Sequence, residues 1–217
     1  MSTPLERAVE VMDRLRSPGG CPWDAAQTHE SLTRYLLEET YEVLEAIETG
    51  NLALLREELG DLLLQVLFHA RLTQELPAGE AFGIDDVAGD LVDKLVRRHP
   101  HVFAGVAAGS ADELNETWER QKVVEKGRTS ALDGVPTAQP ALALAAKLVS
   151  RSARAGLEPA AGWRGADEFG ERLFAMVEEA VAAGVDPEGA LRRTVWAYRA
   201  AMQAAETAAP AGESPEK

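Results

Sequence analysis

Apolar residues recur at helical spacing along almost the whole chain. In the first segment they begin at Leu5 and return at Val9 and Met12, three or four residues apart, which is the spacing of one helix face. Alternation of apolar and polar residues with β-branched side chains, the pattern of a half-buried strand, is nearly absent. The sequence therefore predicts an all-α protein.

Proline, glycine and capping residues divide this pattern into separate helices. The predicted helices cover about residues 5–16, a segment from a cap at 28 or 31 to about 48, and residues 52–76, 85–98, 111–126, 138–155, 167–183 and 187–206. The second begins at a cap provided by Thr28 or Ser31, and the third ends before Pro77. Residues 17–28, which contain the sequence CPWD, and residues 104–110 are predicted to be loops.

A turn with the sequence DGVP, at residues 133–136, marks the predicted domain boundary. It separates an N-terminal domain of residues 1–132 from a C-terminal helical domain of residues 133–208. Residues 209–217 are polar and contain proline and glycine, which predicts a disordered tail.

The composition argues against several classes of protein. No apolar run approaches the ~20 residues that a membrane span needs, and the N-terminus is amphipathic and contains acids, unlike a signal peptide. The net charge of −14 argues against a nucleic-acid-binding surface, since phosphate backbones attract basic patches. Cys21 is the single cysteine, which excludes an internal disulfide and indicates a reducing cytoplasm.

Two acidic clusters lie on consecutive predicted helices. Glu39 and Glu42 are three residues apart, and Glu38 joins them at helical spacing. Glu58 and Asp61 repeat the spacing on the next helix. The connection between these helices is short, so they are antiparallel neighbours. We expect the two clusters to meet at one end of a helix bundle.

Carboxylate oxygens in such a cluster favour Mg²⁺ or Mn²⁺, and the absence of His or Cys at ligand spacing argues against zinc. The alternative is a solvated charged face, which we favour for Glu45, Glu48 and Glu57. It is weak for Asp61, because the stretch ELGDLLLQVLF is almost entirely apolar and a carboxylate removed from water needs a partner. Gly60 costs about 1 kcal/mol of helix propensity, so we expect a helix or ligand close to its backbone.

Five motifs follow one another over roughly residues 5–155. They are GGCPWDAAQT (19–28), EExxE with ELGD (38–42 and 58–61), DKLVRRHPHVF (93–103), TWERQK (117–122) and SALDGVP (130–136). Glutamate-rich helices are common, so EExxE alone is a weak signal, but the ordered set resembles the N-terminal half of MazG proteins. These are all-α nucleoside triphosphate pyrophosphohydrolases. The resemblance implies a MazG-like four-helix-bundle domain that hydrolyses nucleoside triphosphates to the monophosphate and pyrophosphate with Mg²⁺.

The resemblance also implies roles for the acidic residues. Its ExxE and ExxD carboxylates hold the metals, which assigns Glu39, Glu42, Glu58 and Asp61 as ligands. Glu38 then adds a ligand or orients the attacking water, so that Glu38 and Glu39 are the predicted catalytic pair.

Substrate contacts are predicted outside the acidic helices. Lys94, Arg97 and Arg98 form a basic cluster that either clamps the triphosphate or complements the dipole at a helix C-terminus, and the resemblance favours the clamp. Trp23 and Trp118 either stack on the nucleobase or anchor the core. Stacking accepts any base, which fits broad or housecleaning specificity.

The C-terminal half contains a faint internal repeat. Residues 168–181 resemble 58–71, and residues 190–199 resemble 90–99. Glu171 replaces Asp61 in this second copy, and no EExxE precedes it. We therefore expect a degenerate helical copy without catalytic activity that contributes packing or dimerisation, and the resemblance itself implies a homodimer.

Two alternatives to this function stay open. One is a narrower enzyme of the same superfamily that acts on dUTP, dCTP or phosphoribosyl-ATP, although CPWD and RRHPHVF favour MazG. The other is a non-catalytic helical interaction module, in which the acidic residues are dispensable and Mg²⁺ has no effect.

Overall fold

The computed structural model of the chain describes residues 2–105, 109–110, 114, 117, 125, 129–160, 162–163 and 167–208. Every regular element in these residues is a helix, which confirms the all-α prediction. None of the described helices is both long and apolar enough to cross a membrane. Contacts divide the chain into two compact units, Met1–Gly109 and Ser110–Lys217.

Four long helices and two single-turn helices form the first unit. They are α1 (Pro4–Arg16), α2 (Pro22–Ala25), α3 (His29–Glu48), α4 (Leu52–Thr73), α5 (Ile84–Arg98) and α6 (Pro100–Phe103). The long helix α4 contacts α1, α3 and α5, and its most extensive contact is with α3. This arrangement confirms the predicted four-helix domain, with α4 at its centre.

Side-chain caps define where the first helices begin. Thr3 and Glu6 form a reciprocal capping box at the start of α1. Thr28 caps α3 by accepting from the Ser31 backbone N–H, which decides between the two caps expected for this helix. Asn51 caps α4 through its side-chain oxygen, so only a short connection separates α3 from α4. The two helices are therefore antiparallel, as predicted.

Two boundary predictions in this unit are wrong. The CPWD segment forms the helical turn α2, with Pro22 at its first position, where proline needs no N–H partner. Helix α4 ends at Thr73, before the predicted Leu76. The Thr73 hydroxyl donates to the carbonyls of Ala70 and Phe82, at 2.8 and 2.6 Å, and so fixes the chain where it leaves the helix. Both differences arise from contacts that a local pattern does not contain.

The core of the first unit lies between α1, α3 and α4. It is a cluster of buried apolar side chains: Met12, Leu32, Leu67, Phe68 and Leu72. Leu32 is only 1% exposed. This cluster occupies the half of α4 that follows the acidic residues, so a packed apolar base holds α3 and α4 together beside the carboxylates.

The glycine between the two acids of α4 has no close neighbour. No atom of the surrounding described residues lies within 4 Å of the position that a Cβ on Gly60 would occupy. No described helix therefore fills this space, and the alternative that a ligand approaches the Gly60 backbone stays a prediction. Gly20 behaves differently, because a Cβ there would collide with the carbonyl oxygens of Arg14 and Leu15, where Cys21 N–H donates to Leu15 at 2.7 Å.

Three helices of the second unit are described. They are α7 (Ala141–Arg154), α8 (Glu168–Ala182) and α9 (Pro187–Ala208), each within a few residues of its predicted bounds, and all three contact one another. The first unit ends at Gly109, and the domain boundary expected at residue 132 stays a prediction. Most of the predicted helix 111–126 and the predicted tail 209–217 lie outside the described residues.

Candidate metal centre

Three carboxylates from α3 and α4 converge at one site. Glu39 projects from α3, and Glu58 and Asp61 project from neighbouring positions on α4. One carboxylate oxygen of each lies within 4.8 Å of the others. Antiparallel packing of the two helices therefore brings the predicted acidic clusters together, as the spacing indicated.

Glu42 lies beside this group of three. Its carboxylate raises the pKa values of Glu39 and Glu58, by repulsion when both groups of a pair are ionised and by a hydrogen bond when one of them is protonated. Glu42 itself is exposed. Four predicted ligands thus share one acidic site, three of them in a tight group. Glu38 is exposed on α3 and lies outside that group, so its role stays a prediction.

Burial and mutual repulsion both act on this site. Glu58 is 8% exposed, and burial is the largest cause of its raised pKa, followed by the effect of Glu42. Burial also leads in raising the pKa of Glu39, and repulsion from Asp61 follows. Every charged group that raises these two pKa values is another carboxylate. A cation bound among these oxygens would offset the repulsion and the cost of burial.

The donor set matches a hard divalent cation. All the converging atoms are carboxylate oxygens, which Mg²⁺ and Mn²⁺ prefer, and the group contains no imidazole or thiol. Within the residues that the structure describes, no second group of three metal-ligating side chains occurs. The residues present therefore fit the metal that the sequence predicted.

The acid that is more buried in the structure is not the one that the sequence singled out. The sequence singled out Asp61 because of its apolar neighbours, but Asp61 is half-buried and Glu58 is buried. Leu59 and Leu63, which made the surroundings of Asp61 look like an interior, are 49% and 39% exposed. A run of apolar residues covers more than one face of a helix, so it does not tell which face is covered.

The predicted phosphate-binding residues lie in the last turns of α5. Lys94 and Arg97 are exposed, and Arg98 is half-buried. No cation is among the groups that shift the pKa values of Glu39 and Glu58. The role of these three cations as a clamp therefore stays a prediction.

Of the two tryptophans predicted to contact the base, the structure describes Trp23 but not Trp118. Trp23 lies on α2 and is 51% exposed, so the alternative that it anchors the core is wrong. Its ring and that of Tyr35 form a T-shaped pair, with the ring centroids 5.8 Å apart. Trp118 lies outside the described residues.

Arg16 positions the segment that carries Trp23, and sequence reasoning missed this role. Its side chain is 7% exposed and binds both carboxylate oxygens of Glu75, at 2.8 and 2.9 Å. The same guanidinium donates to the carbonyls of Asp24 and Gln27, at 2.6 and 3.1 Å. In the sequence, Arg16 stands where the helical period of α1 predicts a buried apolar residue. That position was the feature that could have indicated its role.

A second set of missed residues follows Asp61 along α4. Gln65 is 4% exposed, and His69 meets His29 of α3 with their Nδ1 atoms 2.7 Å apart. Polar side chains in a helix interface need hydrogen-bond partners. Gln65, His69 and His29 therefore indicate that more than apolar packing determines how α3 and α4 meet. Gln65 and His69 stand at four-residue steps after Asp61, and that spacing was the available signal.

Comparisons with known proteins agree on one family. The model of the MazG nucleotide pyrophosphohydrolase domain matches residues 27–103, which include the converging carboxylates and the basic turns of α5. An uncharacterised 26.1 kDa protein of Streptomyces cacaoi is 54% identical over 91% of this chain and 81% of its own length.

Relatives with functional names are also similar over most of the chain. A nucleoside triphosphate pyrophosphohydrolase of Mycolicibacterium smegmatis is 47% identical over 96% of this chain and 61% of its own length. The nucleoside triphosphate pyrophosphohydrolase/pyrophosphatase MazG of Thermotoga maritima is 38% identical over 87% of this chain and 80% of its own length. Among solved structures, a MazG-related protein from Thermotoga maritima is 31% identical, with a TM-score of 0.45 over 54% of this chain and 97% of its own.

Proposed function

Because this chain belongs to the MazG family of nucleotide pyrophosphohydrolases and is a hydrolase of that class, we propose that it converts nucleoside triphosphates to the monophosphate and pyrophosphate. The convergence of Glu39, Glu58 and Asp61 is the observation that carries this proposal. The chain spans 61% of the length of the relative from Mycolicibacterium smegmatis and 58% of that of a nucleoside triphosphate pyrophosphohydrolase of Mycobacterium tuberculosis. The activity of those whole proteins is therefore extended to this chain as a proposal.

We assign Glu39, Glu58 and Asp61, with Glu42 beside them, to hold Mg²⁺, for which Mn²⁺ can substitute. When bound, the metal neutralises phosphate charge and activates a water for attack on phosphorus. The chain's part is to fix the oxygens in place: α3 and α4 are joined by a short connection and held by a packed core. We assign Glu38, which precedes Glu39 on α3 and is exposed, to orient the attacking water.

The rest of the substrate is assigned to residues outside α3 and α4. Lys94, Arg97 and Arg98 would bind the triphosphate, since arginine offers a planar pair of donors to phosphate oxygens. The exposed ring of Trp23 would stack on the base, and Trp118 stays a second candidate for this contact. Stacking reads no hydrogen-bond pattern, which favours broad or housecleaning specificity over a single pyrimidine. The assignment to the cytoplasm continues to rest on the single cysteine.

A substrate panel tests the proposed function. The full chain is expected to release pyrophosphate, rather than orthophosphate, from several ribo- and deoxyribonucleoside triphosphates with Mg²⁺. A chelator should abolish release, and added Mg²⁺ or Mn²⁺ should restore it. Release from dUTP or dCTP alone would favour the narrower alternative. No release from any nucleotide with either metal would contradict the proposal and favour a non-catalytic module.

We also propose that the enzyme is a homodimer. Large apolar side chains are exposed along one face of α3, at Leu37, Tyr41 and Leu44, which are 53%, 42% and 36% exposed. On α4, Leu63 and Val66 are 39% and 40% exposed at similar spacing. Monomeric proteins rarely expose apolar surface of this extent, and these are the helices that hold the acids. A second copy covering this surface would also complete the walls of the site.

Sedimentation at micromolar concentration tests the dimer. Wild type is expected to sediment as a dimer, and Leu63→Lys as a monomer, because a lysine at the apolar face would lose its hydration in the interface. Val11→Lys on α1 is the control, since Val11 is 54% exposed and lies on a different helix. A wild-type monomer at these concentrations would contradict the proposal.

We propose, finally, that the C-terminal domain is a degenerate copy without its own activity. Glu171, the counterpart of Asp61, is half-buried on α8. Among the described residues of the second unit, no group of carboxylates gathers around it. This domain would then contribute packing or dimer contacts, while catalysis stays with residues 1–132.

A further inference from the structure

An open cleft of about 340 Å³ lies in the second unit, between α7 and the connection from α8 to α9. We call it the α7 cleft, because six of its lining residues come from that helix: Ala143, Ala146, Lys147, Ser150, Arg151 and Arg154. Its volume is in the range of sites that hold small ligands. The converging carboxylates belong to the first unit, so the proposed hydrolysis does not use this cleft.

The first unit has a cleft at the corresponding place, the α1 cleft, which measures only about 30 Å³. It lies between α1, the end of α4 and Ile84 at the start of α5. The internal repeat pairs α4 with α8 and α5 with α9, so α7 takes the place of α1. Three positions with the same spacing line each cleft: 9, 12 and 13 on α1, and 143, 146 and 147 on α7. The two linings can therefore be compared position by position.

The α7 cleft is lined by smaller side chains. Ala143 and Ala146 stand where the α1 cleft has Val9 and Met12. Met12 is buried and belongs to the packed core of the first unit, whereas both alanines are half-buried. Alanine leaves empty the volume that valine and methionine fill, which accounts for part of the difference in size.

The charge at the third position is reversed. In the α1 cleft, Arg71 Nε donates to Asp13 at 2.7 Å, so the two charges are paired. In the α7 cleft, Lys147 stands at the position of Asp13, and the repeat places Val181 at the position of Arg71. Within the part of the chain that the structure describes, no carboxylate forms a salt bridge with Lys147. The α7 cleft therefore has a cation where the α1 cleft has an ion pair.

Two arginines line the α7 cleft together with Lys147. Arg151 and Arg154 follow it by four and seven residues, on the same face of α7. Arg151 Nη1 donates to the carbonyls of Ala131 and Asp133, at 3.4 and 2.8 Å. These acceptors carry no formal charge, so they hold the guanidinium in place without neutralising it. Stabilisation of the helix dipole explains the two arginines, which lie in the last turn, but not Lys147.

One acid also lines the cleft, but its carboxylate is already engaged. Asp186 accepts from the backbone N–H groups of Glu188 and Gly189 at the start of α9, both at 3.1 Å. The positive end of the helix dipole stabilises its charge. The lining thus has three cations and one capped acid, in a chain with a net charge of −14.

We propose that the α7 cleft binds a small phosphate ester, which is a phosphate group attached to an organic part. Lys147 and Arg154 are exposed and bind the phosphate oxygens, and the fixed charge of Arg151 adds to the attraction. Ser150, half-buried in the same lining, donates its hydroxyl. The site is separate from the carboxylates of the first unit, so the proposal does not depend on the proposed function.

The opposite wall of the cleft indicates the organic part. It contains the apolar side chains of Val181, Val185 and Pro187. A phosphate group alone would leave this wall in contact with water, whereas an ester can place a ring or a carbon chain against it. We therefore expect a nucleotide or a sugar phosphate to bind more tightly than pyrophosphate.

Calorimetric titration of the full chain tests the ligand class. In a chelator, at least one of the four nucleoside monophosphates or glucose 6-phosphate is expected to bind. The same compound without its phosphate, and pyrophosphate, should each bind at least 10-fold more weakly. Absence of binding by all five esters would overturn the proposal, and so would pyrophosphate binding as tight as that of the best ester.

Variants locate the binding in the α7 cleft. Lys147→Met and Arg154→Met, at exposed positions, should each weaken binding of the best ester about 10-fold. Arg199→Met, which removes an exposed cation of α9 outside the lining, is the matched control. Ala146→Met keeps every cation but fills the cleft, and should also weaken binding. Unchanged affinity in folded Lys147→Met and Arg154→Met, or a loss in Lys94→Met instead, would overturn the proposal.

Discussion

Asp61→Asn is expected to lower Mg²⁺-dependent pyrophosphate release by about 1,000-fold, which corresponds to about 4 kcal/mol of lost transition-state stabilisation. The substitution keeps the size of the side chain and removes one of three converging carboxylates. Its amide still offers one oxygen, but without the negative charge that holds a divalent cation. Steady-state pyrophosphate release, with Mg²⁺ titrated, measures the effect.

The same substitution should stabilise the metal-free protein. Folding raises the pKa values of Glu39 and Glu58 above the ordinary 4.5, partly through Asp61. A carboxyl group with a raised pKa costs folding free energy at neutral pH, and this cost disappears as the pH falls through the raised pKa. Removal of the Asp61 charge relieves the same repulsion. We expect a higher Tm for Asp61→Asn than for wild type in a chelator, with the difference shrinking toward pH 4.5.

Glu57→Gln provides the control for the loss of activity. Glu57 is exposed next to Glu58 and lies outside the group of three, so we expect nearly wild-type activity. Wild-type activity in Asp61→Asn would contradict the metal assignment and would point to chemistry elsewhere in the chain, including the second unit. Loss of activity in Asp61→Asn, with nearly wild-type activity in Glu57→Gln, would favour the proposal that the C-terminal copy has no activity of its own.

Arg16→Met should reduce the free energy of unfolding by about 2 kcal/mol, because it leaves two half-buried carbonyls without their donor, whereas Glu75 is exposed to water. Methionine keeps much of the packing volume but leaves the carbonyls of Asp24 and Gln27 and the carboxylate of Glu75 without their shared donor. Arg71 still contacts Glu75 at 3.1 Å, so the carboxylate keeps one cation. Urea unfolding at constant salt measures the change.

Arg14→Met separates this network from a general effect of charge. Arg14 is exposed on the same helix, and we expect its substitution to change stability by no more than about 0.5 kcal/mol. Arg16→Met should also raise KM for nucleotides if Trp23 contacts the base, because it releases the segment that carries this ring. If Arg16→Met changed the free energy of unfolding no more than Arg14→Met does, the Arg16 network would contribute little to stability.

Most of the helices, and the acidic residues of the site, could be predicted from the sequence. The period of apolar residues is local, so the long helices were found with their ends shifted by a few residues. The acidic pairs at Glu39 and Glu42 and at Glu58 and Asp61 could be placed together because a short connection leaves α3 and α4 little choice but to pack antiparallel. The order of the motifs identified the family.

Properties that depend on contacts between distant parts of the chain required the tertiary structure. Only packing shows that Glu58 is more buried than Asp61, that Trp23 is exposed, and that Arg16 joins α1 to the CPWD segment and to Glu75. The meeting of His29 with His69 is of the same kind. Local sequence determines which backbone conformation is favoured, because that energy comes from neighbours in the chain. Which side chains are buried, and which hydrogen-bond partners they have, depends on which helix faces pack together. That packing involves residues far apart in sequence.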